Sequence, residues 1–188
     1  MKEEKVRIYD ENGIYLNKKM DKKEAKIKNL YHKAIHLWIM IGDKILIQQR
    51  SELKKVFPNK WDLSVAGHIS ENDSSLETVI KELYEELNIK IDSNLIEYLY
   101  CLRRTGQNGK NMFFDTYLLR LPANYDLSQI KVEKSEVKAF KLVNKSYLDK
   151  VINNKDNSFA SRQMECKMFI DYINGFKGKG GEDDRKIY

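Results

Sequence analysis

Residues 67–89, which read GHISENDSSLETVIKELYEELNI, carry the most informative pattern in the chain. Apolar residues recur there at spacings of three and four, which predicts an amphipathic helix from Ser74 to Leu87. Asp73 or Ser74 is suited to capping the first free amides of this helix. Asn88 is suited to the left-handed conformation that often ends a helix. The pattern therefore predicts one well-delimited helix whose apolar face is buried in the core.

Three carboxylates share one edge of this helix, beside the apolar stripe. Successive residues are rotated by about 100°, which brings Glu82, Glu85 and Glu86 into a single arc. At an effective dielectric of about 20, two unit charges about 6 Å apart repel by roughly 3 kcal/mol. On a fully exposed face, screening reduces this to a few tenths of a kcal/mol per pair, and the glutamates would only solubilise the surface. The other reading is a site that binds a cation.

The same stretch resembles the Nudix box, whose pattern is G-x5-E-x7-R-E-U-x-E-E-x-G-U, with U an apolar residue. The matching residues are Gly67, Glu82, Leu83, Glu85, Glu86 and Ile89. Three residues depart from the pattern but keep related chemistry. Asp73 is a shorter carboxylate, Lys81 is a cation without the planar guanidinium, and Asn88 tolerates the backbone conformation that glycine serves.

The resemblance implies an α/β fold, the Nudix α/β/α sandwich around a mixed β-sheet, and hydrolysis of a diphosphate by water. It also implies Mg²⁺, with Mn²⁺ as a second possibility, since hard oxygen ligands suit Mg²⁺. The implied metal-binding residues are Gly67, Glu82, Glu85 and Glu86. Residues with an implied catalytic role are Glu82 and Glu85, Lys81 as the partner of a box carboxylate, and Glu136 as a secondary base. Glu82 is either a third metal ligand or the base that activates water.

A wider resemblance covers most of the chain from Lys5 to Val143. The stretches YHKAIHLWI, ILIQQRS and FPNKWDLSVAGHIS are similar to Nudix proteins related to type I isopentenyl-diphosphate isomerase. His32 and His68 match positions that the isomerase uses for its metal, and we assign them to substrate binding, with structural histidines as the alternative. Ala66 stands where the isomerase has its catalytic cysteine, and it can neither donate nor accept a proton.

The isomerase glutamates are missing too, because Lys110 and Met112 occupy their positions in an approximate alignment. Isomerase activity is therefore not expected. An isomerase-like enzyme and a non-catalytic nucleotide-binding module remain the two alternatives to a hydrolase of a nucleoside diphosphate derivative or a related metabolite. Outside the box, Arg50 is assigned to phosphate binding, as Lys54 and Lys60 can be, although all three can equally be solvated.

Strands precede and follow the predicted helix, and further helices close the chain. The expected elements are a hairpin at 5–16, a charged helix at 21–30, strands at 33–41, 44–49, 61–66, 95–104, 112–121 and 136–143, and helices at 146–153 and 158–174. No repeat or long linker divides them. We expect a single domain over 1–174 and a flexible tail over 175–188, which is rich in glycine and charge.

Composition restricts the class of protein and its partners. The chain has 188 residues, 41% of them hydrophobic, and no apolar run long enough to cross a bilayer, so we expect a cytoplasmic protein. Its formal charge of +6 comes from lysines spread along the sequence, which fits a small diphosphate substrate better than nucleic acid. No membrane partner is expected, and a homodimer is left open. Cys101 and Cys166 are expected to be reduced packing residues.

Overall fold

The computed structural model describes residues 5–106, 111–153 and 156–175, within which the chain forms nine strands and four α-helices. The strands are β1 (Lys5–Tyr9), β2 (Tyr15–Asp21), β3 (His32–Ile41), β4 (Lys44–Arg50), β5 (Trp61–Asp62), β6 (Val65–His68), β7 (Ile96–Arg104), β8 (Met112–Leu121) and β9 (Val137–Val143). The helices are α1 (Lys22–Ile27), α2 (Ser75–Leu87), α3 (Lys145–Ile152) and α4 (Gln163–Ile173).

Strand β3 is the centre of a mixed sheet. One edge of β3 pairs in parallel with β8 along its whole length, and β8 pairs in turn with antiparallel β7. The other edge is shared, because β6 pairs with residues 34–37 and β4 with residues 39–41. Beyond this contact β4 pairs with β5 and β9. Two branches of the sheet therefore diverge from the same edge of β3.

Ser64 bridges the point at which the branches separate. Its buried hydroxyl accepts the Ile39 N–H at 2.8 Å and donates to the Leu46 carbonyl at 2.6 Å. The side chain thus satisfies backbone groups that a continuous strand pair would have satisfied. The chain also changes branches here, so the single strand expected over 61–66 is two strands, β5 beside β4 and β6 beside β3.

Helices cover both faces of the sheet, as the predicted α/β/α sandwich requires. Alternate residues of β3 point to opposite faces. Ile35 and Leu37 belong to the core that packs against Leu83 of α2. Trp38 belongs to the core under α3 and α4, where its ring stacks on Phe169 with centroids 4.3 Å apart.

The N-terminal hairpin forms a small unit with its own core. The pairing of β1 with β2 runs to Asp21, further than the 5–16 expected, and α1 packs Ala25 against Val6 and Ile8. Backbone bonds from Tyr9 to Tyr31 and from Glu71 to Lys5 join this unit to the main sheet. The unit thereby holds the start of α1 beside the C-terminal end of β6.

Two further expectations concern the chain's end and its loops. Helix α4 begins at Gln163, later than the expected residue 158. The predicted flexible tail lies outside the described residues except for Gly175, and Lys110 lies outside them as well. Within the described residues, no helix is long and apolar enough to span a membrane.

Candidate active site

Helix α2 is delimited by the residues that the sequence singled out. Ser74 is its N-cap: the Ser74 hydroxyl accepts the Glu77 N–H at 3.2 Å, and the Glu77 carboxylate accepts the Ser74 N–H at 2.7 Å. This capping box settles the choice between Asp73 and Ser74. At the other end Asn88 adopts the left-handed conformation, with φ of 57°. The helix is thus fixed at both ends, which fixes the directions of its carboxylates.

Gly67 of β6 lies directly under the Glu82 side chain. A Cβ atom at residue 67 would overlap the carboxylate of Glu82, so a larger residue would displace it. The requirement for glycine here is spatial, since Gly67 does not adopt a positive φ. This close approach brings the backbone of β6 and the acidic edge of α2 together.

A cleft of about 750 Å³ opens along this edge. We call it the acidic cleft, because five carboxylates line it: Glu82, Glu85, Glu86, Glu133 and Glu136. Three lysines from separate parts of the chain, Lys22, Lys54 and Lys131, also line it. Ala66, Gly67 and His68 come from one branch of the sheet, and Lys54 follows β4 of the other branch, so the cleft lies where the branches diverge.

Two of the carboxylates, the buried Glu86 and the partly buried Glu82, lie close to like charges. Burial, followed by the charges of Glu85 and Glu136, raises the pKa of Glu82 to about 7. Burial and the charge of Glu82 raise the pKa of Glu86 to about 8, although a hydrogen bond from Gln48 opposes this shift. Glu86 is only 4% exposed. Carboxyl groups that resist ionisation in a cleft are typical of functional sites, where a bound cation restores their charge.

The loop before β9 is anchored to the last turn of α2. The N–H of Lys131 donates to the Leu87 carbonyl at 3.0 Å, and the N–H of Glu133 donates to the Glu86 carbonyl at 3.1 Å. These bonds satisfy helix-end carbonyls that have no partner within the helix. They also carry Glu136 to the cleft, although it lies far from the box in sequence.

The fold and this acidic cleft agree with the comparisons with known proteins. The NUDIX domain family model matches residues 30–162. The chain belongs to the Nudix family. A Nudix hydrolase of Clostridium acetobutylicum is 30% identical over 168 residues, which cover 85% of this chain and 80% of that protein. The family and this relative identify the chain as a Nudix hydrolase.

Other relatives cover smaller regions. Nudix hydrolase 3 of Arabidopsis thaliana is 37% identical over 120 residues, 60% of this chain but only 16% of that protein. An isopentenyl-diphosphate Delta-isomerase of Roseobacter denitrificans is 32% identical over 71 residues, 38% of this chain and 40% of that protein. These relatives confirm the predicted resemblance to the branch of the Nudix family that is related to isopentenyl-diphosphate isomerase.

A solved structure supports the fold alone. The crystal structure of a Deinococcus radiodurans protein superimposes with a TM-score of 0.67 over 88% of this chain and 98% of that one, at 18% identity. The predicted Nudix sandwich around a mixed sheet is confirmed.

Nudix hydrolases generally need a divalent metal ion, and the acidic cleft fits one. The described His, Cys, Asp and Glu side chains form no closed group of three or more around a single point. Mg²⁺ does not need such a cage, because it keeps several waters and binds one or two carboxylates together with substrate phosphates. Glu82 and Glu86 carry hard carboxylate oxygens, and a bound cation would lower their raised pKa values again.

Gln48 is a site residue that the sequence did not reveal. It is 3% exposed, and its Nε2 donates to Glu86 Oε2 at 3.0 Å. The two residues are 38 positions apart, and Gln48 lies in a β-prone run with no motif of its own. Only the arrangement of β4 against α2 shows that it holds Glu86.

Only one of the two histidines assigned to substrate binding, His68, is among the residues that line the cleft. His68 lines the cleft, and burial holds its pKa well below the usual value, so its ring is neutral. The His32 ring stacks on it with centroids 5.7 Å apart, while His32 Nδ1 lies 3.1 Å from the Leu30 carbonyl. His32 is buried and is not among the residues that line the cleft. Of this pair, His68 is the one positioned to meet a substrate.

Arg50 and Lys81 lie outside the cleft lining. The Arg50 guanidinium donates to the Asp62 carboxylate at 3.4 Å and to the Val56 carbonyl at 2.9 Å, so its donors are directed away from a substrate phosphate. The Lys81 ammonium lies 3.9 Å from the carboxylate of Asp73, the first acidic position of the box. Lys81 therefore contacts a box carboxylate, but one at the start of the helix and not a cleft glutamate.

Proposed function

We propose that this Nudix hydrolase cleaves a diphosphate bond in a small metabolite, a nucleoside diphosphate linked to another group or a related diphosphate. The metal we propose is Mg²⁺, with Mn²⁺ as a substitute. The observation that carries the proposal is the partly buried Glu82 beside the buried Glu86 in the cleft, with pKa values raised to about 7 and about 8. Such an arrangement costs stability in the free protein and gains it when a cation binds.

In the proposed reaction a water oxygen attacks one phosphorus atom of the diphosphate. A new P–O bond forms, the bond from that phosphorus to the bridging oxygen breaks, and the water proton passes to a carboxylate. A bound divalent ion would supply charge neutralisation on the phosphates and a more acidic water. We assign Glu85, Glu86 and the Gly67 backbone to the ion, Glu82 to the ion or to the proton, and Glu136 to the proton as the second candidate.

The lining of the cleft favours a small anionic substrate. The lysines Lys22, Lys54 and Lys131 converge on it from three segments, and ammonium groups serve phosphate as point charges. A volume of about 750 Å³ is in the range of small-molecule sites. The neutral His68 can donate or accept a hydrogen bond at the floor of the cleft.

The isomerase-like alternative rests on relatives named as isomerases, but the cysteine that acts in the isomerase is replaced in this chain. Ala66 lines the cleft at the position of the isomerase cysteine. Assaying isopentenyl diphosphate separates the two reactions, since isomerisation conserves the diphosphate whereas hydrolysis releases inorganic phosphate. Formation of the isomer without phosphate release would favour the isomerase.

The main test is a turnover screen across diphosphate metabolites with Mg²⁺ or Mn²⁺. We expect Glu86→Gln and Glu85→Gln to lower turnover of the best substrate by at least about 10³-fold, equivalent to about 4 kcal/mol. The matched control is Glu77→Gln on the same helix, because glutamine also serves in a capping box. Wild-type turnover in both cleft variants would contradict the proposal. A protein with neither turnover nor Mg²⁺ binding would instead be a non-catalytic module.

A further inference from the structure

Lys54 makes an ion pair with Glu136 across the cleft. The Lys54 ammonium contacts Glu136 Oε2, and both residues line the same cavity as Glu82 and Glu86. The pair is not sealed from water, because the two side chains are 29% and 39% exposed. Accessible ion pairs contribute little to stability and can open at small cost.

Backbone bonds hold the two residues at a fixed separation while leaving their side chains free to rotate. The N–H of Ser51 donates to the Glu136 carbonyl at 3.0 Å, and the N–H of Lys54 donates to the Ser51 carbonyl at 3.2 Å. Ser51 itself is buried. A backbone hydrogen bond therefore joins the loop after β4 to Glu136. Any change in this pair must come from the side chains.

A metal-bound diphosphate would reverse the attraction that holds the pair. In the free protein, the cleft carboxylates attract the Lys54 ammonium. A divalent ion on those carboxylates removes this attraction, and the phosphate oxygens of a substrate bring new negative charge to the same space. The ammonium is then drawn toward the phosphate, and the Glu136 carboxylate loses its cation.

We propose that Lys54 exchanges partners when substrate binds: it leaves Glu136 and binds a non-bridging oxygen of the diphosphate, which releases the Glu136 carboxylate into the cleft. This inference rests on the proposed function, because it assumes a diphosphate beside the acidic cleft. It makes Lys54 a substrate-binding residue. It also makes the availability of Glu136 dependent on substrate.

The test measures binding of methylenediphosphonate, whose carbon bridge cannot be hydrolysed, by calorimetry with Mg²⁺ present. We expect Lys54→Met to weaken binding by at least about tenfold, since a hydrogen bond to a charged group is lost. Lys54→Arg should stay within about threefold of the wild type. The matched control is Lys55→Met, which changes an exposed neighbour that does not line the cleft and should alter binding less than about twofold.

Glu136→Gln decides between an exchange and a fixed structural pair. If Lys54 changes partners, removing the charge of Glu136 frees the ammonium in advance, so binding of methylenediphosphonate should be unchanged or tighter. If the pair is only structural, Lys54→Met and Glu136→Gln should weaken binding by similar factors, and this result would overturn the exchange.

Turnover and binding separate this inference from the proposed function. Wild-type hydrolysis together with full binding by Lys54→Met would refute the exchange and leave the hydrolase intact. Binding that depends on Lys54, in a protein that turns over no diphosphate, would keep the exchange and refute the hydrolase. A wild-type protein that does not bind methylenediphosphonate would refute the exchange.

Discussion

Two groups of charged side chains in the described part of the chain differ in how their charge is neutralised. At the start of α4, Arg162 donates to Asp62 at 3.0 Å and to Glu165 at 3.5 Å. Arg104 also pairs with Glu165, and Arg50 with Asp62. We call these five residues the α4 ion cluster. In the acidic cleft, by contrast, Glu82 and Glu86 repel each other.

The difference distinguishes a structural arrangement from one prepared for a ligand. Asp62 and Glu165 raise the pKa of Arg162, since each favours its charged form against the effect of burial. The cluster joins α4 to β5 and β7, so its charges stabilise one another within the fold. Glu82 and Glu86 form no ion pair among the described residues, so a cation from outside the chain would neutralise them. Buried charge of like sign is therefore the better indicator of function.

The largest expected effect on stability is in the α4 ion cluster. Arg162→Met leaves Asp62 and Glu165 buried without their main partner and should lower the free energy of unfolding by about 3–5 kcal/mol. Urea denaturation measures the change. The control is Lys167→Met, which breaks the exposed pair with Asp171 on the same helix and should cost less than about 1 kcal/mol. If Arg162→Met lowered the free energy of unfolding by less than about 1 kcal/mol, the α4 ion cluster would not be the stabilising arrangement that we contrast with the acidic cleft.

Removing a charge from the acidic cleft should stabilise the folded protein, whereas removing one from the α4 ion cluster should destabilise it. The folded protein raises the pKa of Glu86 from 4.5 to about 8, so it binds this proton more tightly than the unfolded chain does. The associated stability is complete below about pH 4.5 and is lost as the pH rises to about 8. Glu86→Gln should therefore become more stable than the wild type over this interval, by up to a few kcal/mol.

Thermal denaturation between pH 4.5 and 8, with and without Mg²⁺, measures this effect. Mg²⁺ should stabilise the wild type at pH 8 and should stabilise Glu86→Gln much less, because a ligand that binds only the folded state raises its stability. If the stability of both proteins changed with pH in the same way, Glu86 would not be the carboxyl group whose pKa is raised in the folded protein.

Glycine substitutions sharpen the comparison, because two glycines are restricted for different reasons. Gly67→Ala should push the Glu82 carboxylate out of position and lower kcat/KM by about 10²-fold, since misplacement of about 1 Å in an active site can cost that much. Gly42 turns the chain between β3 and β4 with φ of 58°, and a Cβ there would lie 2.9 Å from Ala123 Cβ. Gly42→Ala should therefore cost about 1–2 kcal/mol of stability and leave kcat/KM unchanged. Equal losses of activity in both variants would contradict a spatial role for Gly67.

The sequence predicts those parts of the molecule that depend on neighbouring residues. Turn chemistry at Gly42-Asp43 gives the β3–β4 hairpin, and the three-and-four spacing gives α2 almost to the residue. The box glutamates lie together because one helix carries them. These features depend on contacts over a few positions, which periodicity and capping chemistry describe directly.

Features that depend on distant pairing were not predictable. The run 61–66 looks like one strand, but it crosses between branches because β5 and β6 find different partners. Arg50 looks like a phosphate ligand until Asp62 is placed beside it. The loop bonds from Lys131 and Glu133 to α2 leave no periodic signal in the sequence. Each of these choices is made by tertiary packing and not by local preference.

The smallest expected effect concerns Gln48, a neutral side chain that donates a hydrogen bond to the buried carboxylate of Glu86. Gln48→Met keeps the side-chain volume but removes the hydrogen bond to Glu86 Oε2, so the carboxylate is less well oriented and holds its proton more tightly. The Mg²⁺ concentration for half-maximal activity should rise by about tenfold, as for other residues that orient metal ligands. The control is Gln49→Met, which loses only a bond to the Asn59 carbonyl near the surface.

The pH dependence of the Mg²⁺ requirement separates orientation from packing at Gln48. Losing a donor to the ionised form raises the pKa of Glu86 further, so protons compete with Mg²⁺ up to a higher pH. The defect of Gln48→Met should therefore be largest near neutral pH and should shrink as the pH rises above 8, where Glu86 ionises without help. A defect of the same size at every pH would mean that Gln48 only fills space beside α2.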